Sequence, residues 1–315
     1  MNIIQWLIWV IIQITLVSVS LRISRWRIII FLQSVIPILG LISLMIAISA
    51  FATRNIALIV GGLFQLVWFG ILLSAPGKQR RDRDFSHLPE LVREFRVAHS
   101  NLLHSNVTPE NALDDVFSTD ADVIAFSEIT LRLHTHAERH ELAAKWPHRI
   151  HDLDDGPRGI ALWSKIPLAE SSIEKMHDCN AAVATVQITQ ETFVRILAIH
   201  PMAPISRQKI RDWAPSLHSI GTALSQSIHP AIAIGDYNAT HWHAPMRHLY
   251  RRGLHSAHLR VGRLFASTFP VGRRLRPFVS LDHALVTENI VVHEVTHVQV
   301  RGSDHRGIVV RVSVR

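Results

Sequence analysis

Acidic, amide and imidazole side chains recur at the ends of apolar runs in the part of this 315-residue chain that follows residue 92. Asn101 follows the run Phe95-Arg96-Val97-Ala98-His99, and Glu128 follows Val123-Ile124-Ala125-Phe126. His200 follows Ile196-Leu197-Ala198-Ile199, while Asp236 and Asn238 close Ala231-Ile232-Ala233-Ile234-Gly235. Asp282 opens Ala284-Leu285-Val286, and Ser303-Asp304-His305 precedes Ile308-Val309-Val310. Any one of these is an ordinary surface turn. As a set, with almost no other charge inside the runs, they point to one site. Side chains at i and i+2 of an extended chain share a side, so Asp236 and Asn238 point together beyond a sheet edge, where α/β proteins bind ligands.

The chemistry open to such a set is phosphoryl transfer to water. Glu128 and Asp304, with Asn101, offer hard oxygen ligands suited to Mg²⁺ or Mn²⁺ rather than to a thiolate or three-histidine zinc site. A divalent cation polarises a phosphoryl oxygen and stabilises a leaving oxyanion. Asp236 is a candidate for orienting and deprotonating water, and Asn238 for holding a non-bridging phosphate oxygen. A histidine paired with an aspartate is oriented and made more basic. Asp282 with His305 is therefore a candidate dyad, and His305 a candidate for stabilising transition-state charge. Cys179 is the only cysteine, which excludes an internal disulfide and a cysteine-cluster metal site.

Alternating apolar periods must position these groups. Strands are expected at 95–99, 121–126, around Ile150, and at 159–163, 181–188, 193–199, 231–235, 282–286, 290–297 and 308–314. Helices are expected after Thr108-Pro109-Glu110, a cap, a first-turn proline and an acid at the positive end of the dipole. Further helices are expected over 131–146, over 206–226 with an interruption near Pro215, and over 246–252. Strand runs outnumber helices, which favours two packed sheets flanked by helices.

Residues 1–77 are a different physical object. They hold Arg22, Arg25, Arg27 and Arg54 as their only charges, so the net charge of +8 divides evenly between this segment and the rest. Uncharged apolar runs over 3–21, 28–51 and 56–74 approach or exceed the roughly 20 residues that cross a bilayer. Trp6, Trp9 and Trp68 suit interfacial positions. The organisation expected is a three-helix transmembrane anchor over 1–77, a charged linker over 78–92 and a soluble domain over 93–315. Basic residues dominate the first loop and the segment after the third run, which places the soluble domain on the cytoplasmic side of a multi-pass cell-membrane protein. No ionisable residue lies inside a run, so no ion pathway is visible.

The ordered pieces of the soluble part resemble the endonuclease/exonuclease/phosphatase superfamily, the deoxyribonuclease I-like proteins, and more narrowly its bacterial membrane-anchored members. They are Ser100-Asn101-Leu102-Leu103 with Asn106, Ala121-Asp122-Val123-Ile124-Ala125-Phe126-Ser127-Glu128, and Arg158-Gly159-Ile160-Ala161-Leu162-Trp163-Ser164. His200-Pro201, Gly235-Asp236-Tyr237-Asn238-Ala239-Thr240, Leu281-Asp282-His283-Ala284-Leu285-Val286 and Gly302-Ser303-Asp304-His305-Arg306 complete the set. The resemblance implies an α/β (α+β) four-layer α/β/β/α sandwich. It implies Glu128 as principal ligand of Mg²⁺ or Mn²⁺ with Asn101 and Asp304 beside it, His200 on the scissile phosphate, Asp236 and Asn238 positioning the nucleophile, and His305 with Asp282 as a dyad. Tyr237, Ser127 and Gly307 depart from the commoner residues at their places, and none removes a reacting group.

The expected activity is that of a membrane-anchored, metal-dependent hydrolase of a phosphodiester or phosphomonoester, either nucleic acid or a phospholipid head group. A non-catalytic membrane scaffold of the same fold is the alternative. No obligate protein partner is evident. His134, His136 and His140 read as a solvated face, and His241 and His243 as candidates for the site's rim. Arg247, Arg251, Arg252, Arg260, Arg263, Arg273, Arg274 and Arg276 make the C-terminal third basic. That face is solvated, or it meets a phosphate-rich substrate or an anionic leaflet.

Overall fold

A computed structural model describes residues 3–77, 93–272 and 276–315. The expected linker at 78–92, and Arg273 and Arg274, lie outside the described residues. The apolar N-terminal segment forms helices α1 (Ile3–Ser20), α2 (Arg27–Ser34), α3 (Ile36–Ala52) and α4 (Ile56–Gly77). The expectation of three spanning helices is corrected by their lengths. Among the described residues α1 alone is long and apolar enough to cross a membrane. The second run is not one helix: α2 and α3 meet at Val35 with a bend of 74°, just before Pro37, whose ring cannot accept a preceding helical turn. In α4 the apolar stretch is 59–74, shorter than a full span. These helices pack through small residues, with Gly61 against Trp9 and Gly62 against Ala47, and leave Met45, Phe51 and Val67 exposed.

The rest of the chain builds two sheets. Strands β1 (Phe95–Asn101), β2 (Val123–Ser127), β3 (His148–Asp152), β4 (Ile160–Ser164), β11 (Ile290–Gln299) and β12 (Arg306–Val314) form one, in the order β11-β12-β1-β2-β4-β3. Strands β5 (Leu168–Met176), β6 (Cys179–Gln187), β7 (Phe193–Ile199), β8 (Ala231–Asp236), β9 (His255–Ser256) and β10 (Asp282–Val286) form the other, ordered β5-β6-β7-β8-β10-β9. Val97, Ala125 and Val310 of the first sheet face Ile196, Ile234 and Ala284 of the second across one apolar core. Helices α5 (Pro109–Phe117) and α6 (Leu131–Arg139) cover the outer face of the first sheet. Helices α7 (Arg207–Ser225) and α8 (Ala244–Arg251) cover that of the second, and the one-turn α9 is Ala257–Arg260. This is the four-layer α/β/β/α architecture of the deoxyribonuclease I-like type.

Register sets what meets at the sheet edge. Parallel pairing of β1 with β2 puts Asn101 opposite Ser127, beside Glu128. Parallel pairing of β7 with β8 puts Ile199 opposite Gly235, which leaves His200 beside Asp236. Antiparallel pairing of β8 with β10 puts Asp236 opposite Asp282. Gly235 allows this approach, because a Cβ there would fall 1.9 Å from the Ile199 carbonyl oxygen.

Local departures from the sequence pattern have physical causes. Strand β5 escapes periodicity because six of its residues, including Glu170, Ser171 and Ser172, are exposed along an edge, and β6 is the strand it pairs with. Helix α7 runs unbroken through Pro215, contrary to the expected interruption, and is pinned by the buried Trp213, Leu217 and Ile220. The expected solvated histidine face is also incomplete. His134 is buried against the His151 ring, and His140 accepts the Leu142 N–H to cap the following turn.

Candidate active site

The C-terminal ends of β1, β2, β7 and β8 and the N-terminal ends of β10 and β12 converge. Glu128, His200, Asp236, Asn238, Asp304 and His305 line one cavity of about 490 Å³. Asn101 and Asp282 stand directly behind them, hydrogen-bonded to Asp236 and His305 respectively. All eight candidate residues are thus brought into one constellation.

Asp236 is its centre. Its Oδ1 accepts the Asn238 backbone N–H at 2.8 Å. Its Oδ2 accepts from Asn101 Nδ2 at 3.3 Å, and lies 3.6 Å from His200 Nε2 and 3.7 Å from His305 Nε2. Burial would raise its pKa, but the imidazoles of His305 and His200 outweigh burial and hold it below the usual carboxylate value. Asn238 reaches this place in a left-handed conformation, φ 48°, and its Nδ2 donates to the Pro201 carbonyl at 3.1 Å.

His305 Nδ1 donates to Asp282 Oδ2 at 2.8 Å, which aims Nε2 at Asp236. Burial opposes charge on His305, yet Asp282 and Asp236 dominate and raise its pKa to about 10. Asp236, Asp282 and His305 have ligand atoms within 4.8 Å of one another, a grouping that could itself take a cation. The hydrogen bond and the raised pKa give that space to an imidazolium proton. His200 behaves alike: burial works against its charge, but Asp236 and then Glu128 raise its pKa.

Glu128 sits at φ 58°, so the chain turns at the end of β2 and swings the carboxylate into the cavity. Gly159 makes room, since a Cβ there would meet the Ile129 carbonyl oxygen at 2.0 Å. Asn101 Nδ2 donates to Glu128 Oε1 at 3.0 Å, and His104 donates to Oε2 through Nδ1 at 2.6 Å. Burial raises its pKa, but the charge of His200 and these hydrogen bonds bring it below the usual value. Asp304 is shifted the other way. Burial and the negative Glu128 raise its pKa against the pull of His305.

A divalent cation suits this pair on donor chemistry. Two carboxylates that repel one another across an open cavity are hard oxygen donors whose like charges a cation would neutralise. Asn101 is turned differently: its Oδ1 accepts the Leu103 N–H at 2.9 Å, and its Nδ2 ties Glu128 to Asp236 across the two sheets.

Three groups escape a reading of the sequence. His104 lies only three residues past Asn101, a proximity that could have flagged it. His99 places Nδ1 3.4 Å from Asp282 Oδ1 and shares a 2.9 Å hydrogen bond with Ser127 Oγ. It is hidden inside a strand whose apolar pattern is complete without it. The third is α2, whose Arg27, Ile30 and Phe31 line the cavity although they belong to the N-terminal segment. His241 and His243, expected at the rim, are buried instead and do not line the cavity. His243 Nε2 donates to the Ile30 carbonyl at 2.9 Å while Nδ1 accepts the Thr240 N–H at 2.8 Å, so it fastens α2 to the domain. Of the described arginines in the basic third, three are turned to internal contacts while Arg251, Arg252 and Arg276 are exposed. Arg260 is buried on Glu288 at 2.8 Å, Arg247 donates to the Val19 carbonyl, and Arg263 donates to the Val295 carbonyl.

Two facing sheets with acids and imidazoles at their shared edge define a phosphoester hydrolase of the nuclease and phosphatase type. The Endonuclease/Exonuclease/phosphatase family model matches residues 67–305, and the chain belongs to that family. Solved structures share the fold at low identity. Humanized D. rerio TDP2 is 13% identical, with a TM-score of 0.60 over 70% of this chain and 98% of that one. D. rerio TDP2 complexed with single strand DNA product is 13% identical, with a TM-score of 0.57 over 70% and 98%. The endonuclease/exonuclease/phosphatase family protein from Bacteroides thetaiotaomicron is 14% identical, with a TM-score of 0.56 over 72% and 100%. No curated protein matches by sequence.

Proposed function

We propose that the protein is a membrane-tethered, divalent-metal-dependent phosphoesterase that hydrolyses a phosphodiester or phosphomonoester by direct attack of water. The observation that carries this reading is the convergence of Glu128, His200, Asn238, Asp304 and His305 on Asp236 in one cavity. Glu128 and Asp304 would hold Mg²⁺ or Mn²⁺, which supplies Lewis-acid polarisation of a phosphoryl oxygen and charge relief at the leaving oxygen. The remaining work falls to side chains. Asp236, kept ionised, orients water and accepts its proton as the oxygen bonds to phosphorus. Asn238 Nδ2 and His200, whose charged form Asp236 favours, face the non-bridging oxygens. His305, charged and aimed by Asp282, meets the negative charge that builds on the phosphoryl group.

The tether rests on α1 and on the exposed apolar surface of α3 and α4. Orientation is supported by contact: Ser24 Oγ, in the loop carrying Arg22 and Arg25, accepts the Ala244 N–H at 3.1 Å, so loop and catalytic domain share one side.

The test uses the full chain in detergent with Mg²⁺ and, in parallel, supercoiled plasmid or phospholipid vesicles. Hydrolysis should fall by about 10³-fold or more in Asp236→Ala, and should stop with EDTA. A wild-type chain inert on every phosphoester would make the protein a scaffold.

A further inference from the structure

Helix α2 is where the N-terminal segment enters the catalytic cavity. Arg27, Ile30, Phe31, Ser34 and Val35 form one of its walls, and Met202, Ile205, Phe269 and Phe278 continue the apolar lining. The Phe269 ring lies 4.9 Å from that of His305, so the apolar lining begins at the phosphoryl site itself. Two cations, Arg27 and Lys209, are the basic members of the wall. The helix is firmly held. Ile30 is buried in the core shared with α7 and α8, its carbonyl takes the His243 hydrogen bond, and Gln33 binds Ser18 Oγ and the Ile23 carbonyl.

The bend supplies the setting. Helix α2 turns by 74° from α3, so the two do not run on as one straight apolar rod. Trp26, Ile28 and Phe31 are exposed, and such side chains suit a membrane interface. A cavity whose floor holds acids and imidazoles, and whose apolar wall runs into the exposed apolar side chains of α2, matches a molecule with a phosphoester at one end and a hydrocarbon chain at the other. A nucleic-acid backbone asks for a cationic track instead, whereas among the described residues the cavity is lined by only two such cations, Arg27 and Lys209, and Arg247, Arg260 and Arg263 make internal contacts.

We propose that α2 builds an apolar subsite beside the phosphoryl site, and that the substrate is a bilayer-resident amphiphilic phosphoester whose chain lies along Phe31 and Ile205 while Arg27 and Lys209 face its anionic head. This rests on the phosphoesterase reading and names the substrate class of that same cavity. Water bonds to phosphorus as its proton passes to Asp236, the ester P–O bond breaks, and the departing oxygen takes up that proton and leaves as the alcohol.

The test places the full chain in phosphatidylcholine nanodiscs with Mg²⁺ and follows bis(p-nitrophenyl) phosphate as a soluble reporter. Competition by dodecylphosphocholine is compared with competition by glycerophosphocholine, a phosphodiester without the dodecyl chain. The chain-bearing competitor should act at least about tenfold more strongly on wild type. That ratio should fall toward unity in Phe31→Ser and in Ile205→Ser. Phe31 and Ile205 are 60% and 56% exposed, so both variants keep the core. Equal competition on wild type, or a ratio unmoved in both variants, would overturn the inference while leaving the phosphoesterase reading standing. Supercoiled plasmid competing more strongly than dodecylphosphocholine would overturn it in favour of nucleic acid. Reporter hydrolysis that survives Asp236→Ala would sink the phosphoesterase reading, and the inference with it.

Discussion

Asp282 carries its negative charge at 0% exposure because imidazoles face both of its oxygens, His305 on Oδ2 and His99 on Oδ1. Burial would protonate it, but His305 and His99 hold it ionised, and its pKa lies below the ordinary value. Asp282→Asn keeps the shape and removes the charge that does most to keep His305 protonated. We expect kcat to fall by about 10²- to 10⁴-fold with little change in KM, read by steady-state kinetics on the reporter. Unchanged kcat would take the dyad out of the mechanism. Gly235→Ala tests position rather than charge. Its Cβ cannot coexist with the Ile199 carbonyl, so β7 and β8 must part where they deliver His200 and Asp236. A loss of about 1–3 kcal/mol in thermal unfolding, with a larger loss of activity, is expected. At this scale the site is legible in the sequence, because a polar group that closes an apolar strand faces either solvent or a site, and here many of them close strands in one domain. His99 is not legible, since a histidine inside β1 fits the strand pattern and its partner Asp282 lies far along the chain.

At the scale of elements, what can be read depends on whether a segment carries the cause of its own shape. Strand β8 does: its run is apolar throughout and buried. Strand β5 does not, because most of its residues are exposed and its register is set by pairing with β6. Helix α2 is the sharper case. Its residues read as the start of a spanning run, and the break at Val35, the burial of Ile30 and the His243 clasp turn it onto the catalytic domain. That clasp depends on pH. Burial is the main reason the His243 pKa drops from 6.5 to about 4, so the unfolded chain takes a proton that the folded one refuses. The stability it contributes is full above about pH 6.5 and declines as pH falls toward 4, by up to roughly 3 kcal/mol. Amide protection over 27–34, taken relative to the intrinsic exchange rate at each pH, should therefore fall between pH 7.5 and 5, and His243→Ala should make it low at both. Protection over 27–34 that ignores both changes would remove the clasp.

The whole molecule joins two bodies that the sequence divides cleanly by charge, yet they share a core. Ile30 packs among the residues between α7, α8 and the second sheet, while Trp242 is buried among Ile12, Leu16 and Ile36 of the N-terminal helices. The contrast in composition at residue 77 marks where polarity changes, and such a boundary says nothing of contacts that fold back across it. A chain cut to residues 93–315 would therefore lose one wall of the cavity, the partner of His243 and the cover over Trp242. Burial of a side chain such as Ile30 is worth about 1.5–3 kcal/mol, and several are uncovered together. Such a fragment should melt several degrees below the full chain in detergent and self-associate at micromolar concentration, as seen by scanning calorimetry and light scattering. It should still bind Mg²⁺ through Glu128 and Asp304, because β2 and β12 do not depend on α2 for their pairing. A fragment that melts with the full chain and stays monomeric would show that α1–α4 rest against the domain without supporting it, and the cavity would then need no wall from the membrane side.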